Sequence, residues 1–211
     1  MNKNLPRRGV LALGLALGAM SWMGLPAFAA GSVAENFVEK NVQKGLAVLN
    51  NKSLSTEQRR TQFETLLLGL TDLKRIADFT LGQYRRTASP ADVAAFEAAF
   101  QNYAVAVYQS YFANYAGQTL KVTGSQARSA DDFIVQTVLI NPGDRSGQPP
   151  LQVDFRVRTD TGKPTVTDFS VSGIFLALEE RDQFTSFLGQ NGGNVRLLIT
   201  HLNDLAKQFK N

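Results

Sequence analysis

Residues 151–172 read LQVDFRVRTDTGKPTVTDFSVS, and their two-residue period sets the fold class. Leu151, Val153, Phe155 and Val157 alternate with Gln152, Asp154, Arg156 and Arg158. Such alternation describes a strand with one apolar and one wet face. Thr161-Gly162-Lys163-Pro164 turns the chain, and Thr165–Ser172 continues as a strand with Thr167, Phe169 and Val171 on one face. Upstream, Thr119–Thr123 and Phe133–Asn141 also read as strands. Asn141-Pro142-Gly143-Asp144 opens a loop that reaches Pro149-Pro150. Four strands at hairpin spacing predict an antiparallel meander.

Outside this stretch the period lengthens to that of a helix. Phe37, Val38, Val42, Leu46 and Leu49 place a helix over 33–50. Ser55-Thr56-Glu57-Gln58 is a capping box, and the helix it opens carries Phe63, Leu66, Leu67 and Leu70. Thr71-Asp72 starts another, with Leu73, Ile76 and Ala77 on one face, ending near Leu81-Gly82. Ser89-Pro90-Ala91-Asp92 puts Ser at the N-cap, Pro at the first helical position and Asp at the third. That helix is expected to run to about Tyr115 and stop at Gly117. Val93, Phe96, Phe100, Tyr103, Val107 and Tyr111 form its apolar face, widened by Tyr108, Phe112 and Tyr115. Two more helices follow the strands, from about Phe175 to Leu188 and from Val195 through Phe209. Helices on either side of a meander predict an α+β domain, with several helices packed on one face of a four-stranded antiparallel sheet.

The first thirty residues read as an address. Lys3, Arg7 and Arg8 precede an apolar run from Val10 to about Leu25, and Pro26 then Ala27-Phe28-Ala29 supply a small-x-small cleavage pattern. The run is about sixteen residues, short of the roughly 20 that span a bilayer. A signal peptide over 1–30, cut near Ala29 or Ala30, is therefore expected, with a single domain over 31–211. Its removal takes three basic residues and no acidic ones. The 22 basic and 18 acidic residues of the whole chain, a net charge of +4, become 19 and 18, a net charge of +1. The basic excess that would otherwise suggest nucleic acid thus belongs mainly to the leader, and nucleic-acid binding is not expected.

Reactive chemistry is sparse. The chain has no Cys and one His, which excludes disulfides, thiolate metal sites and any site needing two imidazoles from one chain. His201 lies beside the apolar face of the last helix, with Asp204 three residues on. This pair is the one candidate for a catalytic dyad, and a solvated helix flank explains it better. Asp131-Asp132 fits a turn between strands, Glu179-Glu180-Arg181-Asp182 reads as the solvated face of a helix, and Arg85-Arg86, Arg156 and Arg158 read as surface charge. No phosphate-binding loop, dinucleotide fingerprint or nucleophile elbow is present. No catalytic residue, metal or cofactor is expected.

Several short motifs, in order, carry a resemblance. They are Leu81-Gly82-Gln83-Tyr84 with Arg85-Arg86, then Ala88-Ser89-Pro90-Ala91, Phe96–Phe100, Tyr108, Tyr115 and Gly117-Gln118-Thr119. Val135–Asn141 with Pro142, Pro149-Pro150, Val153-Asp154-Phe155 and Asp168-Phe169 through Gly173 continue the series. Together they resemble the MlaC or toluene-tolerance family of periplasmic phospholipid-binding proteins, over roughly residues 35 to 205. Arg85 stands where the family often has an aromatic, Pro164-Thr165-Val166 where it often has a Trp, and Gly173-Ile174-Phe175 where it has a small turn.

The resemblance implies an NTF2-like or cystatin-like fold with acyl chains buried in an apolar cavity between helices and sheet. Candidate lipid-binding walls are Val153, Phe155, Val157, Phe169 and Val171 on the sheet. Phe100, Tyr103, Val107 and Tyr111 on the long helix, and Leu73, Ile76 and Phe79 before it, complete them. The resemblance further implies a monomeric carrier in the Gram-negative periplasm, whose ligand is a phospholipid. Its implied partners are an inner-membrane ABC transporter complex with an MCE-domain ring and an outer-membrane lipoprotein complex. A carrier of another lipid, such as a hopanoid, and an envelope interaction module without a ligand are the alternatives.

Overall fold

The computed structural model describes residues 27–111 and 115–210. The expected leader, apart from its last few residues, and Phe112 lie outside the described residues. Four helices come first: α1 (Ala27–Asn50), α2 (Thr56–Leu70), α3 (Leu73–Thr80) and α4 (Pro90–Tyr111). A 3₁₀ turn, Gly82–Arg86, links the last two. Strands β1 (Thr119–Ser129), β2 (Asp132–Ile140), β3 (Gln152–Arg158), β4 (Thr165–Val171) and β5 (Ile174–Phe175) follow, then helices α5 (Leu176–Gln190) and α6 (Val195–Lys210). The strands form one antiparallel sheet in the order β1-β2-β3-β4-β5. The α+β class and the meander are as expected, but the sheet has five strands, not four.

The fifth strand has a local cause. Ser172 and Gly173 both take positive φ, 50° and 83°, and this two-residue turn pairs Val171 with Ile174. Two consecutive left-handed residues suit the right-handed twist of a hairpin. β1 is also six residues longer than its alternation suggests. Register shifts between Val122 and Gly124 and between Ala127 and Ser129 break its period, so the polar stretch Ser125-Gln126-Ala127-Arg128 pairs as strand without looking like one.

The helix starts follow the sequence signals. The Ser55 hydroxyl accepts from the Gln58 amide at 3.1 Å while Gln58 Oε1 accepts from the Ser55 amide at 2.8 Å, which completes the capping box. Asp72 accepts from the Arg75 amide at 3.0 Å, and Ser89 from the Asp92 amide at 3.1 Å. Each such cap is worth about 1 kcal/mol. Gly82, at φ 60°, leaves α3 where an added Cβ would stand 2.7 Å from Thr185 Cγ2, so the turn against α5 needs glycine twice over.

Two separate cores result. Helices α3, α4, α5 and α6 pack through Leu81, Phe96, Phe100, Phe184, Leu188, Leu198 and Leu202, all of them buried. Phe184 meets Phe96 and Phe100 edge-on, at centroid distances of 6.1 and 6.3 Å. The second core is smaller: Ala34 and Val38 of α1 close on Phe133, Val135 and Val157 of the sheet.

Candidate functional site: an apolar cavity under the first two helices

Between the two cores the layers do not meet, and a cavity of about 310 Å³ remains. Its roof is α1 and α2. The α1 stripe supplies Phe37, Val38, Val42, Leu46 and Leu49, and α2 supplies Phe63, Leu66, Leu67 and Leu70. The floor is Leu120 of β1, Val153 and Phe155 of β3, and Val166 and Phe169 of β4, with Tyr108 of α4 at one side. Gly45 sits where the two roof helices touch. A Cβ there would already touch Leu66 Cδ2 at 3.7 Å and Phe63 Cε2 at 3.8 Å.

Two polar side chains of the lining are turned to the backbone. Asn41 donates its amide to the Phe37 carbonyl at 2.8 Å, and the Thr71 hydroxyl donates to the Leu67 carbonyl at 2.7 Å. A cavity with this lining suits apolar matter.

A smaller crevice of about 70 Å³ lies beside it. Tyr108, Phe169, Val166 and Thr71 border both spaces. The Tyr108 and Phe169 rings, 5.5 Å apart at 45°, therefore form part of a partition. The crevice differs from the cavity in holding carboxyl groups. Glu180 accepts the Tyr103 hydroxyl at 2.8 Å on one oxygen, and its other oxygen is buried without a hydrogen-bond partner. Burial pushes the Glu180 carboxyl above the ordinary range, against the Tyr103 bond and helped by the neighbouring Glu179 charge. Asp168 is also raised by burial, although the Phe169 and Ala177 amides, at 2.8 and 2.9 Å, and Arg156 favour its charged form. Asp168 thereby caps α5, whose own N-cap residue, Phe175, makes no side-chain cap.

The candidate walls divide between these spaces. Val153, Phe155 and Phe169 line the larger cavity, and Phe169 also borders the crevice with Leu73, Ile76, Phe100, Tyr103 and Val107. Three candidates line neither. Val157 is fully buried in the core under α1, and Val171 pairs with Val153 but lies outside both linings. Phe79 is 37% exposed, with the Arg181 guanidinium 4.8 Å above its ring. The side chain of Tyr111 lies outside the described residues. The α1 and α2 linings were absent from the candidate walls. Their stripes are legible as helix faces, but a stripe does not say whether its partner is side chain or empty space.

The remaining charged candidates are structural. His201 is exposed, stacked on Phe187 at 5.1 Å, and borders neither space. Asp204 pairs with Lys207 at 2.9 Å, so no His–Asp dyad forms. Arg156 grips Asp132 with two bonds, at 3.0 and 2.7 Å, and Arg158 reaches Asp131 and Asp160. At Asp132 burial opposes ionisation, but Arg156, together with Arg128 and Arg158, more than offsets it and the carboxyl falls below its ordinary range. Arg85 is held by Asp78 at 2.6 Å. Among the described residues no cluster of three or more His, Asp or Glu could hold a metal ion.

A helix-over-sheet domain with an apolar chamber beneath its first two helices defines a class of α+β proteins built round a hydrophobic interior. Within that class the chain belongs to the MlaC family, described as MlaC protein, whose model matches residues 39–204. Its fold is similar to that of the phospholipid-binding protein from Ralstonia solanacearum, solved in complex with a phospholipid. The TM-score is 0.72 at 22% identity, over 84% of this chain and 99% of that one.

Proposed function

We propose that this protein is a periplasmic phospholipid carrier that holds acyl chain in the cavity under α1 and α2. In this reading it moves lipid between an inner-membrane transporter complex bearing an MCE-domain ring and an outer-membrane lipoprotein complex. The observation that carries the reading is the 310 Å³ apolar cavity in a chain of the MlaC family. The phospholipid bound by the Ralstonia solanacearum protein of the same fold supports it. The leader-like residues 1–30 support the periplasmic location.

Size and energy both bear on how such a carrier works. A 150 Å³ cavity holds one benzene, so a cavity about twice that size takes roughly a dozen carbons. Two acyl chains with ~30 methylenes need more room, and their removal from water is worth roughly 25 kcal/mol at ~0.8 per CH₂. The carrier must recover much of that by dry contact, which requires its walls to yield without exposing the chains. α2 is the wall best suited to yield, because none of its residues is buried and, among the described residues, it forms no ion pair with another element.

Mass spectrometry of organic extracts from the purified protein tests the proposal. Phospholipid is expected at a stoichiometry near one. A double variant that fills the cavity, Val42→Phe with Val153→Phe, is expected to remain folded and lose the lipid. Purified protein that carries no lipid and takes none up from vesicles would overturn the carrier reading.

A further inference from the structure

The two roof helices share a lengthwise gradient. On α2 the cavity-lining residues run back from Leu70 through Leu67 and Leu66 to Phe63. One turn before Phe63, on the same helix face at i−4 and i−3, stand Arg59 and Arg60. On α1 the stripe runs forward to Leu49, and Lys52 follows three residues on, in the turn between the helices. Both stripes thus end in cations at the same place. The opposite end of the cavity abuts the core of Ala34, Val38, Phe133, Val135 and Val157. The cavity thus runs from an apolar core at one end to cations at the other.

These cations are not engaged elsewhere. Arg75, Arg85, Arg156, Arg158 and Arg196 each hold a carboxylate. Arg59 and Arg60 are half-buried, yet among the described residues neither makes an ion pair within 4.0 Å. The side-chain bond of Arg59 goes to Thr56 Oγ1 at 3.4 Å. Glu57 and Glu64 flank Arg60 at i−3 and i+4 without pairing with it, and Glu64 accepts from Gln109 instead, at 3.4 Å. Arg59 has no acidic residue at either spacing. The segment from Asn41 to Leu70 carries four cations and two carboxylates, a net +2, whereas residues 31–211 as a whole carry +1.

We propose that Lys52, Arg59 and Arg60 form a headgroup subsite for a lipid phosphate diester of net negative charge, so that the carrier prefers anionic to zwitterionic phospholipids. The inference rests on the carrier reading above and adds the ligand class. An acyl chain laid along Phe63 and Leu49 emerges beside the cations, where guanidinium groups can grip phosphate oxygens in pairs. The site is partly exposed, so its contribution is modest and screened by salt.

The test uses the lipid-free full-length mature chain and four probes: phosphatidylglycerol, phosphatidylcholine with the same acyl chains, diacylglycerol, and glycerol phosphate without chains. Competition against a fluorescent lipid at low and high salt gives relative affinities. Phosphatidylglycerol is expected to bind about five- to tenfold tighter than phosphatidylcholine at low salt, with the ratio shrinking at high salt. Arg59→Gln with Arg60→Gln is expected to erase the ratio and leave diacylglycerol binding unchanged. Arg59→Lys with Arg60→Lys is expected to keep part of it. Equal binding of the two phospholipids, or a preference that survives the double Gln variant, would overturn the subsite and leave the carrier intact. Glycerol phosphate competing as well as phosphatidylglycerol would overturn it too, by showing a plain anion site. Failure of every lipid, diacylglycerol included, would sink the carrier reading itself.

Discussion

The α3–α6 half and the α1–α2 half of this domain are built from similar stripes and end in opposite states. Phe96 and Phe100 on α4 meet Phe184 of α5, and Leu198 and Leu202 of α6 are fully buried in the same core. Phe63, Leu66, Leu67 and Leu70 on α2 are just as apolar, yet none is buried. The difference lies in what faces each stripe. α4 lies against helices whose side chains fill its grooves, whereas α2 faces a sheet whose nearest residues stop short of it. Polar ties differ in the same way. The α3–α6 half is cross-linked by Arg196–Asp92 at 2.8 Å, Arg85–Asp78 and Tyr103–Glu180, whereas the side-chain hydrogen bond from α2 to another element is the long Gln109–Glu64 bond at 3.4 Å. The cavity arises where one apolar stripe faces a sheet that does not close on it.

The contrast is sharpest in the cost of truncation. Phe96→Ala or Leu202→Ala is expected to cost about 3–5 kcal/mol, because a close-packed core does not collapse round the void. Leu66→Ala in the lipid-free protein is expected to cost under about 1 kcal/mol, since its side chain already faces space. Urea denaturation of the three variants measures both. Equal losses would mean that α2 is as tightly packed as α4.

This contrast also marks how far the sequence is legible. Ser55, Asp72 and Ser89 announce their helices because capping is local chemistry, and residues 151–172 announce the meander because alternation is local too. The second half of β1 is silent, since Gly124 and two register shifts destroy the period that betrays a strand. Val157 and Val153 sit on the same strand with the same pattern, yet one is core and the other cavity wall. The distinction depends on Ala34 and Val38 of α1, more than a hundred residues away. Local pattern gives the face of an element, and only the assembled layers decide what fills the space above it.

Motion offers a second way to break the comparison. Amide hydrogen exchange is expected to be fastest, among the helices of the lipid-free protein, in α2, and slowest in α4 and α6, following local packing. Gly45→Cys with Leu66→Cys tests the cause. An added Cβ at position 45 stands 3.7 Å from Leu66 Cδ2, so the two roof helices touch at this pair, and the cysteine-free sequence offers no competing thiol. Oxidation is expected to slow exchange in α2 and to slow lipid release in parallel. Release unaffected by a formed disulfide would assign the moving wall elsewhere.

The smallest effect belongs to the carboxyl of the packed half. Glu180 is raised above 4.5 by burial, so its folded form holds a proton more tightly than its unfolded form. The stability linked to it is then fully present below the unfolded value and is lost as pH rises through the folded one. Glu180→Gln removes the buried charge while keeping an acceptor for the Tyr103 hydroxyl. It is expected to raise the melting temperature slightly at neutral pH, with the gain fading as pH falls through the raised folded value and gone below about 4.5, where wild-type Glu180 is neutral in both states. Asp132 gives the opposite sign, because Arg156 holds it below its ordinary 3.8. Asp132→Asn is expected to destabilise at neutral pH, by a margin that narrows in acid as the wild-type carboxyl protonates. Melting curves of both variants across this range separate the two effects. A Glu180→Gln gain that grew in acid would mean that the crevice favours the charged carboxylate.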